Sequence, residues 1–245
     1  MRPRLSTTVI GSALLLLCAC SRVAPVGASI SSSGAGMTGA AGAALLDLPV
    51  KGPAPMTGYS RDRFGQTWTD DVTVNGGHNG CGTRDDVLRR DLKSIAVKSS
   101  SHGCVVVSGQ LDDPYTGQLI GFVRGPNSAV VQIDHVVSLG DGWQTGAAQL
   151  TAQERTNLAN DPLELLAVDG PTNEAKGDAD AASWLPPNNS FRCRYVARQI
   201  AVKAKYRIWV TPVEKDAMSA VLSTCPGQPL PADTDADVAT PAPVR

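Results

Sequence analysis

From residue 83 to residue 222 the chain switches between a helical period and a strand period, and the switches locate its elements. Thr83 to Leu92 sets Val87, Leu88 and Leu92 among charged residues and predicts a helix. Cys104-Val105-Val106-Val107-Ser108-Gly109 predicts a strand. Leu111 to Gly117, with Asp112-Asp113-Pro114, predicts a turn-bearing loop leading into Gln118-Leu119-Ile120-Gly121-Phe122. Val130-Val131-Gln132-Ile133 predicts a short strand that delivers Asp134 and His135. Thr151 to Ala159 predicts a helix opened by a Thr151/Glu154 capping box. Leu163 to Val168 predicts a second strand, and Asn173 opens a helix or a loop beside one. Phe191 to Tyr206 predicts a helix in which Tyr195, Ile200 and Val202 alternate with Arg194, Arg198, Lys203 and Lys205. Thr211 caps a last helix to Leu222, with Pro212 at its first position and Glu214 at the box position.

The ends read differently. Residues 1–20 hold Arg2 and Arg4, then an apolar stretch from Val9 interrupted by Gly11 and Ser12, which is the layout of a signal peptide. The apolar run falls short of the roughly 20 residues that a spanning helix needs. Its end, Leu17-Cys18-Ala19-Cys20, looks like a bacterial lipobox with Cys20 as the lipidated residue; the other reading is cleavage near Ala19 with no lipid. A lipidated chain would sit on a membrane surface, since two or more acyl chains anchor stably. Residues 21–57 are rich in Ala, Gly and Ser and are expected to form a flexible tether, in which Ala44 to Val50 is a patch able to dock. Residues 226–245, rich in Pro, Ala and Asp, are expected to form a loose tail. One domain, 58–225, remains, long enough to bury a real core.

Cysteine usage agrees with export. Outside the leader stand Cys81, Cys104, Cys193 and Cys225, an even number, which predicts two disulfides. Of three pairings, Cys81 with Cys104 and Cys193 with Cys225 avoids nesting and is the one expected here. No Cys-x-x-Cys pair supports the rival reading, a zinc site.

The formal charge of the whole chain is −1, so no global basic field attracts nucleic acid. Locally, Arg192, Arg194, Arg198, Lys203 and Lys205 fall in a stretch without acidic residues. Such a segment can bind phosphates by counterion release, and the bland reading is a solvated helix face.

The chemistry centres on Asp134-His135, Asn160 and Asn173-Glu174-Ala175-Lys176-Gly177. Phosphodiester hydrolysis needs an activated water, an electrophile on the phosphate and charge relief for the leaving oxygen. A hard divalent cation supplies the last two and takes oxygen ligands from carboxylates and amide carbonyls. Asp134 and Asn173 are of that type. His135 has the reference pKa of a general base. Neighbours on a strand point to opposite faces, so Asp134 and His135 share one site only if the strand ends, bulges or bends there. Ser138 to Gly142 is a turn signal that allows this.

These segments resemble the HNH superfamily with its ββα-metal fold, and more closely the secreted bacterial HNH proteins related to the C-terminal domain of GmrSD-type restriction enzymes. The likeness runs from about Tyr59 to Cys225. It includes Thr83 to Leu88, Ala159 to Leu163, Trp184-Leu185-Pro186-Pro187 and Cys193-Arg194-Tyr195-Val196. It implies an α+β fold: an HNH nuclease core with added helices and a small N-terminal subdomain, stapled by disulfides. It further implies that His135 is the general base, that Asp134 and Asn173 hold the metal, that Asn160 braces the loop and orients the histidine, and that Lys176 lies near the phosphate. The sequence departs from its relatives at Ser138, where they have Pro, a turn-shaping position without chemistry.

The expected activity is therefore that of an exported endonuclease with little sequence specificity, dependent on Mg²⁺, with Mn²⁺ or Zn²⁺ as alternatives, and acting on DNA rather than RNA. Two rivals stand beside it: an envelope lipoprotein that uses the fold as a binding module, and a metal hydrolase of another phosphoester.

Overall fold

The computed structural model describes residues 37–238. Helix α1 (Ala40–Asp47) and a 3₁₀ turn (Arg61–Phe64) precede α2 (Thr83–Asp91). Strands β1 (Leu92–Val97), β2 (Val106–Asp112) and β3 (Leu119–Val123) form an antiparallel sheet in that order. Strand β4 (Val131–His135) pairs antiparallel with β5 (Leu165–Asp169), in unbroken register from Val131–Asp169 to His135–Leu165. Between them lie α3 (Leu139–Gln144) and α4 (Ala152–Asn160). Helices α5 (Gly170–Lys176), α6 (Arg192–Lys205) and α7 (Pro212–Ser223) follow. The fold is α+β, and both disulfides pair as expected, Cys81 with Cys104 and Cys193 with Cys225.

Helix ends follow their local sequence. Thr151 and Glu154 close a capping box on α4, and Thr211 and Glu214 close one on α7. Each satisfies amides that the first helical turn leaves free. Asp169 caps α5 by accepting from the Thr172 amide, with Pro171 in the first turn. Asn173 consequently sits inside α5 rather than at its start.

The β4–β5 pair lies between two apolar cores. Val131, Ile133, Leu165 and Ala167 face a smaller core with Val87, Leu88, Val106, Leu111 and Phe122. Leu166 and Val168 face the larger core, built around Tyr195, Val196, Ile200 and Val202 of α6. Side chains alternate along a strand, so a strand covered on both faces reads as one continuous apolar run. That is why Leu163 to Val168 shows no polar alternation.

Several boundaries differ from the expectation. β1 was not foreseen: five of its six residues are exposed, Ser94 has a left-handed backbone (φ 50°), and its pairing with β2 shifts register. β2 begins at Val106 and runs through Asp112, where a loop was expected. The tether expected over 21–57 is structured from residue 40 onward. Ala41 and Leu45 of α1 are buried in the larger core, and Lys51 N donates to Val210 O at 3.1 Å. The tail expected over 226–245 also packs in part, since Ala236 is buried and Gly227 N donates to Thr38 O at 2.8 Å. Small residues explain both cases. A side chain at Gly39 would collide with the Gly227 backbone, so low apolar content here reflects close approach rather than looseness. The leader 1–20 and Cys20 lie outside the described residues. Among the described residues no helix is long and apolar enough to cross a membrane.

Candidate active site

Gln132, Ile133, Asp134 and His135, four consecutive residues of β4, line one cleft of about 390 Å³. Residues from both faces of a strand reach one cleft when the cleft runs along the strand's unpaired edge. β4 pairs with β5 alone and ends at His135, so no bulge is required. Asn173, Glu174, Gly177 and Asp178 close a second side from α5, and Arg61, Trp68 and Arg84 a third.

His135 is half-buried, and its Nε2 lies 3.0 Å from the Ala159 carbonyl at the end of α4. A carbonyl can only accept, so Nε2 carries the proton and Nδ1 keeps its lone pair. Burial pushes the ring's pKa down to about 3, against the Ala159 bond, which raises it, and with Arg61 and Lys176, which lower it further. The imidazole is neutral and can take a proton. The Trp68 ring stacks on it at 5.9 Å and 15°. Trp68 has a left-handed backbone, φ 58°, which is costly for a bulky residue and marks a position fixed by its surroundings.

Asp134 is buried and faces the opposite side of β4. Its Oδ2 accepts from the Tyr115 hydroxyl, and its Oδ1 from Lys176 Nζ at 2.8 Å. Burial, then Asp134, pushes the Tyr115 hydroxyl well above the usual range, so it stays a donor.

Asn173 is oriented by a relay whose polarity is fixed at its far end. The Glu174 carboxylate can only accept, so Gln132 presents its Nε2 to Glu174 Oε1 at 2.8 Å. Gln132 Oε1 then accepts from Asn173 Nδ2 at 2.9 Å. Asn173 Oδ1 is left without a hydrogen bond among the described residues, on a side chain that lines the cleft.

Asp134 and Asn173 thus offer two hard oxygen donors to one cleft. No group of three or more His, Cys, Asp or Glu side chains suited to a metal occurs among the described residues. The donor set fits a cation that keeps most of its waters, such as Mg²⁺, better than the closed N/S shell of a structural zinc.

Three expectations need correction. Lys176 does not face the cleft. Its side chain is fully buried, with Nζ on Asp134 and, at 2.6 Å, on the His135 carbonyl. It holds the β4 end rather than a phosphate. Asn160 does not brace the histidine loop: its Nδ2 donates to Thr156 O within α4. Glu164 does the bracing, its carbonyl accepting from Val136 N at 2.9 Å and its Oε2 from Val137 N at 3.2 Å. Burial pushes the Glu164 carboxyl well above the usual range.

The basic stretch of α6 is the third. Lys203 is fully buried between Asp141 and Glu214, both at 2.9 Å. Arg198 donates to the carbonyls of Pro162, Leu163 and Leu165, and burial pulls its pKa to about 10. Lys205 pairs with Asp161 at 2.7 Å and Asp233 at 2.6 Å, and Arg192 donates to Pro186 O at 2.8 Å. Arg194 alone of the five is exposed, its guanidinium 5.1 Å over the Phe191 ring. None of the five lines the cleft. α6 is a central helix, and four of these five cations satisfy carboxylates and carbonyls.

Sequence reasoning missed Arg61, Trp68, Arg84, Gln132, Glu164 and Asp178. Gln132 carried a signal: two residues before Asp134 on a strand, it shares that residue's face. Arg61 and Trp68 carried none, because their link to His135 is purely tertiary.

Residues 82–221 match the family model described as GmrSD restriction endonucleases, C-terminal domain. The chain is 39% identical over 183 residues to an uncharacterized secreted protein of Arthroderma benhamiae, an alignment covering 74% of this chain and 82% of the relative. No solved structure matches. With 140 of its 245 residues inside the family model, from 82 through 221, the chain belongs to the family of the GmrSD restriction endonuclease C-terminal domain.

Proposed function

We propose that this protein is an exported HNH-type endonuclease that hydrolyses phosphodiester bonds of nucleic acid, DNA in preference to RNA, with divalent-metal dependence and little sequence specificity. The observation that carries the reading is the cleft on β4. It presents a neutral imidazole with Nδ1 free to accept and, beside it, two oxygen donors from Asp134 and Asn173.

His135 Nδ1 would take the proton of the attacking water as the oxygen–phosphorus bond forms and the bond to the leaving oxygen breaks. The Nε2–Ala159 bond holds the ring for this, Trp68 stacks on it, and Glu164 fixes the Val136 and Val137 amides that follow it. Asp134 and Asn173 would hold the cation, which when bound supplies Lewis-acid polarisation of the phosphate and charge relief for the leaving oxygen. Lys176 balances Asp134 from behind, which keeps the donor set nearly neutral and favours a weakly held ion. Among the described residues no base-reading element lines the cleft, in keeping with low sequence specificity. Two disulfides and a relative described as secreted support export. Anchoring through Cys20 remains part of the proposal.

The test is incubation of the disulfide-intact protein with plasmid DNA and with RNA in Mg²⁺, Mn²⁺, Zn²⁺ or EDTA, beside His135→Ala. Metal-dependent nicking lost in the variant is expected. A folded, metal-supplied protein that cuts neither polymer would overturn the reading in favour of a binding module.

A further inference from the structure

With Lys176 buried and α6 turned inward, the cleft lacks the phosphate-binding cation that the sequence suggested, and the structure holds one candidate replacement. Arg61 is exposed and lines the cleft, and its guanidinium makes no hydrogen bond or ion pair among the described residues. The cleft's other arginine, Arg84, is half-buried and spends its Nη2 on the Val131 carbonyl at 3.2 Å. Its remaining charged wall, Asp134, Glu174 and Asp178, is acidic.

Arg61 also stands on a rigid mount. The 3₁₀ turn Arg61–Phe64 buries Phe64 in the larger core against Tyr59 and Trp143. Arg155 of α4 donates from Nε to the Arg63 carbonyl at 2.7 Å. Gly65, at φ 81°, lies so close to Thr156 that a side chain there would collide with its hydroxyl. Downstream, Trp68 rests on His135 and its carbonyl accepts from Thr83 N at 3.3 Å, beside the Cys81 half of a disulfide. The turn is thus fixed to α4 at one end and to the general base at the other.

We propose that Arg61 is a substrate-binding residue, a guanidinium that receives a phosphodiester group at the His135 end of the cleft. A planar guanidinium presents paired donors that match phosphate oxygens, and it stays charged throughout the working pH range. The proposal rests on the phosphodiesterase reading of the same site and adds what the family model cannot supply. Arg61 lies outside the matched residues 82–221, so the segment preceding the family domain completes its substrate site.

The test uses the full mature chain. In steady-state cleavage, Arg61→Ala should raise KM and lower kcat/KM by about 100-fold, the loss expected of a charged hydrogen bond to phosphate. Arg61→Lys should recover part of it. Arg63→Ala, on the same exposed turn but away from the cleft, should leave both constants unchanged. In parallel, anisotropy of a fluorescent 12-mer DNA with the His135→Ala protein should show weaker binding on adding Arg61→Ala, and a salt dependence reduced by about one phosphate contact. If wild type cuts nothing but Arg61→Ala still weakens oligonucleotide binding, the hydrolase reading fails and the phosphate site stands. If Arg61→Ala alters neither oligonucleotide affinity nor KM, the phosphate site is overturned whatever the cleavage result.

Discussion

Lys176 Nζ lies 2.8 Å from Asp134 Oδ1, and the lysine side chain has no exposed surface. The lysine closes α5 and the aspartate is the penultimate residue of β4, so this pair fastens the helix that carries Asn173 to the strand that carries His135. A buried ion pair gains little over a well-packed apolar pair, but breaking one by removing a single partner is costly.

Lys176→Met should therefore destabilise the protein by about 3–5 kcal/mol, because it leaves the buried Asp134 carboxyl without its cation. Urea unfolding measures this directly. Adding Asp134→Asn to that variant should restore much of the stability while activity stays lost. A single variant within about 1 kcal/mol of wild type would mean that water reaches the pair.

The Gln132 relay makes a claim about orientation rather than stability. Gln132→Leu leaves Asn173 in place but free to turn its amide. Groups that orient a metal ligand are commonly worth 10–100-fold in metal affinity or activity. Gln132→Leu should raise the Mg²⁺ concentration for half-maximal cleavage by about that factor, with the unfolding midpoint nearly unchanged. Wild-type Mg²⁺ dependence in the variant would show that Asn173 needs no relay.

The disulfides close loops of 23 and 32 residues. Loop-closure entropy assigns each about 3–4 kcal/mol, through the unfolded chain. Cys193→Ala with Cys225→Ala should lower the melting temperature while leaving cleavage intact below the transition, since that bridge ties α6 to the end of α7. Cys81→Ala with Cys104→Ala should cost both stability and rate. That bridge anchors the segment whose Trp68 rests on His135. Equal loss of rate in both pairs would remove this distinction.

What the sequence disclosed and what it hid divide along the range of the interaction. The capping boxes of α4 and α7, the strand before Asp134 and the two cysteine pairings depend on near neighbours or on counting. They stand in the structure as read. The errors concern cations. Lys176, Arg198 and Lys203 look in sequence like solvated charges, because nothing local says that a carboxylate 42 or 62 positions away will meet the lysines, or distant backbone carbonyls the arginine. Asn160 and Glu164 illustrate the same limit at short range. The family resemblance implied the asparagine as a brace, but the β4–β5 register put the glutamate opposite Val136 and Val137. Asp134, His135 and Asn173 were singled out because phosphodiester chemistry asks for their residue types, and all three line one cleft, whereas Arg61 and Trp68 became visible only when their turn was seen packed on α4.

The Lys203 cluster yields a prediction with a definite dependence on pH. Lys203 is enclosed by Asp141, Glu214, the Thr145 hydroxyl and the Trp209 carbonyl. Burial works to lower its pKa, but Asp141 and Glu214 outweigh this and raise it. Glu214 is pushed up to about 7, by burial first, with Lys203 opposing and Asp141 adding to the rise. A carboxyl whose folded pKa exceeds its unfolded value contributes stability that is complete below about pH 4.5 and lost as pH climbs through about 7. Lys203→Met keeps the volume and removes the charge that holds the Glu214 pKa down, so Glu214 should bind its proton more tightly in the folded state. The variant should be about 3–5 kcal/mol less stable than wild type at pH 8. By pH 5, where Glu214 is protonated in the folded variant, the deficit should have shrunk by more than about 1 kcal/mol. Urea unfolding of both proteins at the two pH values decides the matter. A deficit that stays constant or grows toward pH 5 would mean that Asp141 and Glu214 are hydrated in the variant and that Lys203 acts through packing alone.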